Sequence, residues 1–178
     1  IVLRRSTLGY VSQFLRVVPR VSTLDVVAEP LLLNGADADT AKAQAKDVLA
    51  RLNIPEPLWT LSPTTFSGGE QQRVAIARAL AMMPKIMLFD EPTSALGVRQ
   101  TSNVLATIDK VRKQGVAVVF ITHNVRHALA VGDRFTVLNR GQTLGTAQRG
   151  QITPEELQDM MAGGQELATL EGSLGGTV

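Results

Sequence analysis

The chain has 178 residues, 44% of them apolar and 19% charged, with a formal net charge of +2. This composition excludes a disordered or fibrous protein and leaves enough length for one domain with a core. No cysteine is present, which excludes disulfides and thiolate–metal sites and fits a reducing cytoplasm.

In chain order, Thr7 to Ser12 is a short strand candidate that ends at Gln13, and a loop with Pro19 and Arg20 follows. Ser22 or Thr23 can cap a helix running to Leu33, with Pro30 as its kink or end. "NGADAD" reads as a turn. Thr40 to Leu52 reads as a helix with Ala45, Val48, Leu49 and Leu52 on one face. Residues 54–66 hold three prolines and read as a loop. After "SGG", a helix is predicted from Glu70 to Met82, with Val74, Ala77 and Ala81 sharing a face. "IMLF" at 86–89 and "VAVVFI" at 116–121 are uninterrupted apolar runs, the pattern of parallel strands buried on both faces. Residues 98–114 and 124–131 read as helices, and "NRGQ" joins the two arms of a hairpin, Phe135 to Leu138 and Thr143 to Ala147. Thr153-Pro154-Glu155-Glu156 opens a last helix, with a threonine cap, proline in the first turn and acids at the positive end of the dipole. The glycine-rich tail from 163 is expected to be loose, and there is no internal repeat.

The order is strand, helical insert, then alternating strand and helix. That predicts an α/β domain with a parallel sheet core (81–150), an inserted helical subdomain at 14–80, and a C-terminal helix and tail at 151–178. Ligands of such sheets sit at the carboxyl ends of the strands, where Gln13, Asp90-Glu91 and His123 are expected. A carboxylate at a strand end can hold Mg²⁺, and a second beside it can orient or deprotonate water. An imidazole there can bind a terminal phosphate and position the attacking water. His127 is read as structural. Ser67-Gly68-Gly69 precedes a helix, whose unpaired N–H groups and dipole favour an anion, and glycine lets a phosphate approach the backbone closely. A simple glycine loop with a serine cap is the alternative. Arg4, Arg5, Arg16 and Arg20 read as solvated surface, and without a basic stripe interleaved with aromatics no nucleic-acid partner is expected. No apolar run approaches the roughly 18 residues of a membrane span, so the chain is expected to be soluble and able to dock on a membrane protein.

These residues resemble the ATP-binding cassette (ABC) family of ATPases over nearly the whole chain. "FSGGEQQR" is similar to the family signature, "IMLFDEP" to its Walker B strand, Gln13 to the Q-loop, "TSAL" at 93–96 to the D-loop and His123 to the H-loop. The resemblance implies a P-loop NTPase-like fold, ATP and Mg²⁺ as ligands, and Glu91 and His123 as catalytic groups. It implies Asp90 and Gln13 on the metal side, and nucleotide contacts from Gln13, Ser67, Gly68, Gly69, Glu70 and Gln71. It also implies a second ABC ATPase subunit as homo- or heterodimer partner, whose ATP the signature would close over. The phosphate loop G-x-x-x-x-G-K-[ST], Walker A, occurs nowhere in these 178 residues. An N-terminally truncated chain, inactive by itself, is therefore expected.

The finer resemblance changes along the chain. Residues 7–76 are similar to the PhnL-type ATP-binding subunit of the phosphonate C–P lyase system. "ARALAMMPKIMLFDEPTSAL" resembles the polar-amino-acid importer branch, and residues 93–178 resemble ATPases of simple-sugar importers, where Gly97 replaces the usual aspartate. The implied function is ATP hydrolysis coupled to phosphonate uptake or C–P lyase metabolism, at a transmembrane permease or C–P lyase complex, in the cytoplasm at the inner face of the membrane. The alternatives are a simple-sugar importer ATPase, and a non-catalytic fragment or module that completes a partner's ATP site.

Overall fold

The computed structural model describes residues 7–16 and 18–162, so the tail from 163 lies outside the described residues. The chain divides into two compact units, Ile1–Thr122 and His123–Val178.

In the first unit, β1 (Leu8–Val11), β2 (Ile86–Asp90) and β3 (Ala117–Ile121) form a parallel sheet in that order. Val11 pairs with Phe89, and Asp90 pairs with Ile121. Parallel neighbours need crossover connections. The first carries α1 (Thr23–Leu33), α2 (Ala38–Arg51) and α3 (Gly68–Leu80), and the second carries α4 (Val98–Lys113). Local chemistry sets the starts of the first three helices. Ser22 caps α1 through the Asp25 N–H, Asp37 caps α2 through the Thr40 N–H, and Ser67 caps α3. Accepting those hydrogen bonds from Thr40 holds the Asp37 carboxyl below the usual range.

Pro30 lies inside α1 without ending it. It has no N–H to donate to the preceding turn, and α1 continues to Leu33 before stopping at Asn34. The expected loop at 54–66 contains two single 3₁₀ turns, Glu56–Leu58 and Pro63–Thr65. α3 begins two residues earlier than expected, so both glycines are helical, because the serine cap fixes the start directly before them.

The core joins the helices to one face of the sheet. Leu49, Ile76, Met87, Phe89 and Ile108 are buried there with Val11. The expectation of strands buried on both faces does not hold. Met87 and Phe89 are fully buried, yet Val119 and Ile121 are 47% and 44% exposed. An apolar run shows what a strand tolerates on each face, whereas burial depends on what packs there, and the described helices dress one face.

In the second unit, β4 (Arg134–Asn139) and β5 (Gln142–Gln148) form an antiparallel hairpin. Its two turn residues, Arg140 and Gly141, both have positive φ (47° and 80°), the requirement of a type I′ turn. The unit also holds α5 (Val125–Val131) and α6 (Pro154–Met161). Thr153 and Glu156 form a reciprocal capping box at the start of α6. Phe135, Val137 and Leu157 are the buried core of this unit.

Candidate functional site

The sheet register brings two of the expected groups to one edge. Gln13 follows β1 by two residues, and Asp90 closes β2, the neighbouring strand. Both strands run the same way, so both residues lie at the carboxyl edge. Glu91 follows with φ at +49°, a left-handed conformation that a non-glycine residue adopts only when its surroundings impose it. Its N–H donates to the Ile121 carbonyl (3.0 Å), and its own carbonyl accepts from the Ser94 N–H (3.3 Å) and hydroxyl (3.1 Å). The chain is thereby turned off the sheet directly after the carboxylate pair. His123 follows β3 by two residues and opens the second unit, where Asn124 caps α5.

Tyr10, which sequence reasoning missed, donates its hydroxyl to Asp90 Oδ2 at 2.9 Å. The signal was present in part. Tyr10 pairs with Leu88, two residues before Asp90, so strand alternation places Tyr10 and Asp90 on the same face. The pairing of β1 with β2, 78 positions apart, is what periodicity alone does not reveal.

The second cluster lies at the start of α3. Glu70 Oε2 accepts from the Ser67 N–H (2.9 Å) and from the Ser67 hydroxyl (2.7 Å). Ser67 Oγ in turn accepts from the Glu70 N–H at 3.4 Å. The serine hydroxyl, and then its N–H, hold the Glu70 carboxyl below the usual range. Gln71 Nε2 donates to the Phe66 carbonyl at 3.0 Å, bracing the turn before the helix.

The glycines here have a packing reason as well as the expected phosphate one. A Cβ at Gly69 would lie 3.0 Å from Gln100 Cβ of α4, and one at Gly68 would lie 2.9 Å from Leu96 Cδ2. The pair therefore lets the first turn of α3 rest against residues 96–100. Its outer side remains open, with Ser67 and Gly68 exposed.

The donor set also bears on a metal. Among the described residues no group of three or more His, Cys, Asp or Glu side chains gathers as a metal cage. Mg²⁺ needs no such cage when phosphates and water supply most of its ligands, and one strand-end carboxylate is a fitting protein contribution. Asp90 suits that role, with one oxygen engaged by Tyr10 and Gln13 on the adjacent strand end.

The profile of the family described as "ABC transporter" matches residues 1–94. The chain belongs to the ABC transporter family. Among curated proteins, this ABC chain is 42% identical to the lipoprotein-releasing system ATP-binding protein LolD of Geobacter metallireducens, over 72% of its own length and 57% of LolD. It is 38% identical to the glutamine transport ATP-binding protein GlnQ of Escherichia coli, over 79% of its length and 58% of GlnQ. The chain thus spans about three fifths of the length of the curated relatives it matches. Among solved structures, it is similar to a dimeric post-hydrolysis state of an ATP-binding cassette bound to ADP and Pi. The TM-score is 0.72 at 30% identity, with 84% of this chain and 66% of the other covered. The α/β, P-loop NTPase-like class expected from the sequence agrees with that fold.

Proposed function

We propose that the chain is the signature-bearing part of an ATP-binding subunit in an importer-type ABC system, and that α3 grips ATP held by a second ABC subunit. The observation that carries this reading is the open N-terminus of α3. Ser67 and Gly68 are exposed there, while Gly69 is packed against α4. Unpaired N–H groups and the helix dipole then favour a phosphate. Glu70 and Gln71 brace this turn. Gln13, with Asp90, would meet the γ-phosphate side of a Mg²⁺-nucleotide, and Glu91 would activate water; for His123, in the second unit, the family resemblance supports a phosphate-contacting role. Bound Mg²⁺ would supply charge neutralisation between phosphates. This chain's residues would supply orientation, which is most of what phosphoryl transfer needs from a protein.

A permease partner is supported by a groove of about 530 Å³ between β1, the end of α1 and α3. Tyr10, Phe14 and Leu33 give it apolar walls, and Arg16 gives it positive charge, Arg78 being paired with Glu29. Such a groove suits an amphipathic helix carrying an acid. No helix of the described residues is long and apolar enough to cross a membrane, and we place the chain at the cytoplasmic face beside that permease. For cargo, the resemblance of residues 7–76 supports a phosphonate or C–P lyase system, and that of residues 93–178 supports a simple-sugar importer. The lipoprotein and glutamine names of the relatives above support neither.

Steady-state ATPase measurements test the reading. The 178-residue chain carries no phosphate loop, so alone it should show almost no turnover. Mixed with an intact subunit such as the Geobacter LolD, it should stimulate ATP hydrolysis, and Ser67→Arg should abolish the stimulation. Robust turnover by the chain alone, lost in Glu91→Gln, would overturn the reading, as would failure to associate with the intact subunit in ATP.

A further inference from the structure

Gln72 is a buried polar side chain to which the proposed reaction gives no task. It is 3% exposed, on α3 one turn after Ser67. Its Nε2 donates to the Gln13 carbonyl and, at 3.3 Å, to the Ser12 carbonyl, 59 and 60 positions away. Both amide protons are therefore directed at the backbone that carries Gln13. Its Oε1 is buried and accepts no hydrogen bond among the described residues. A flipped amide would set that oxygen against two carbonyls, so the observed orientation is the one the donors dictate. A buried amide that leaves its acceptor unused is unfavourable relative to an apolar side chain of the same shape. Packing alone does not explain a glutamine here.

We infer that Gln72 is a positioning residue that locks the Ser12–Gln13 backbone to α3, so that the Gln13 loop and the anion-binding turn Ser67–Gly69 move as one body. The lock acts within about one helical turn, roughly 6 Å, of the anion-binding turn. Besides this tie, Leu15 packs against the core, and the Ser12 hydroxyl is engaged locally with the Phe14 carbonyl at 2.8 Å. Displacing Gln13 must then either drag α3 or break two hydrogen bonds. The functional meaning rests on the nucleotide reading above, but the lock is a property of this chain alone and is measured without nucleotide.

The test is NMR on the 178-residue protein. In wild type, the Gln72 side-chain amide protons should exchange about tenfold more slowly than those of an exposed glutamine. Gln13→Ala should shift the Ser67, Gly68 and Gly69 amides. In Gln72→Met, close in shape but without donors, the Ser12 and Gln13 carbonyl resonances should move while the amides of α3 beyond residue 74 stay in place. The Gln13→Ala shift at Ser67–Gly69 should then disappear. Gln72 protons exchanging as fast as free glutamine, or equal Gln13→Ala shifts in both backgrounds, would overturn the inference. The first readout needs no variant, so it decides the matter even if Gln72→Met does not fold. A lock that passes both readouts in a chain that fails to stimulate the intact subunit supports the inference while overturning the nucleotide reading.

Discussion

At the scale of single residues, Ser67 and Glu70 carry two tasks that pull in different directions. As a capping box they stabilise α3, and as the proposed anion contact Ser67 must offer the same hydroxyl to a phosphate. Replacing Ser67 with Ala should cost about 1 kcal/mol in denaturant unfolding, from the cap alone. Glu70 adds a pH dependence of known sign. Its carboxyl is held low by Ser67, so the folded state favours the charged form. That stability is fully present above the ordinary glutamate value of about 4.3 and is lost as pH falls through the lower folded value. The gap in stability between wild type and Glu70→Gln should therefore be constant from pH 7 to 5 and close below about pH 4. A urea-unfolding series across that range checks it, and a gap that widens on acidification would show that the carboxylate is not the stabilising form. The positions of Ser67 at a helix start and of Asp90 and Glu91 at a strand end were legible in the sequence because each follows from a local pattern. Tyr10 and Gln72 were not, because what they do depends on partners about 60 to 80 positions away.

At the scale of elements, the glycine pair opening α3 separates two uses of the same residue type. Gly69 is buried and its missing side chain is occupied by α4, since an added Cβ would stand 3.0 Å from Gln100 Cβ and 3.5 Å from Gln100 Cα. At Gly68 the neighbour is only the flexible tip of Leu96. Gly69→Ala should thus destabilise the first unit by about 1–3 kcal/mol, whereas Gly68→Ala should be near neutral, helix propensity offsetting the contact. Thermal unfolding of the two variants side by side decides this, and equal costs would mean that packing against α4 is not what the pair is for. The sequence showed a glycine pair before a helix but not the element pressing on it. The same limit explains the strands: position and direction of β2 and β3 were readable from their apolar runs, their one-sided burial was not.

At the scale of the whole molecule, the two units differ in what holds them. The first has a core spanning three helices of the insert, α4 and the sheet. Among the described residues, the second has a small core cluster, Phe135 and Val137 of the hairpin against Leu157 of α6. Opening free energies follow buried apolar contact, so amides of β4 and β5 should exchange with solvent well before those of Met87 and Phe89. Hydrogen exchange followed by mass spectrometry reads this directly, and equal protection would mean one cooperative body. The sheet of the first unit has a further consequence. With Met87 and Phe89 facing the helices, Val119 and Ile121 face outward, Ile121 beside its partner Asp90, so the unit carries a partly apolar sheet wall in addition to the exposed Phe14 and Leu33 of the groove. Its behaviour in solution is then set by whatever alters the cost of wetting that wall. Sulfate and similar salts raise that cost and drive such molecules together through it, while urea lowers it and keeps them apart.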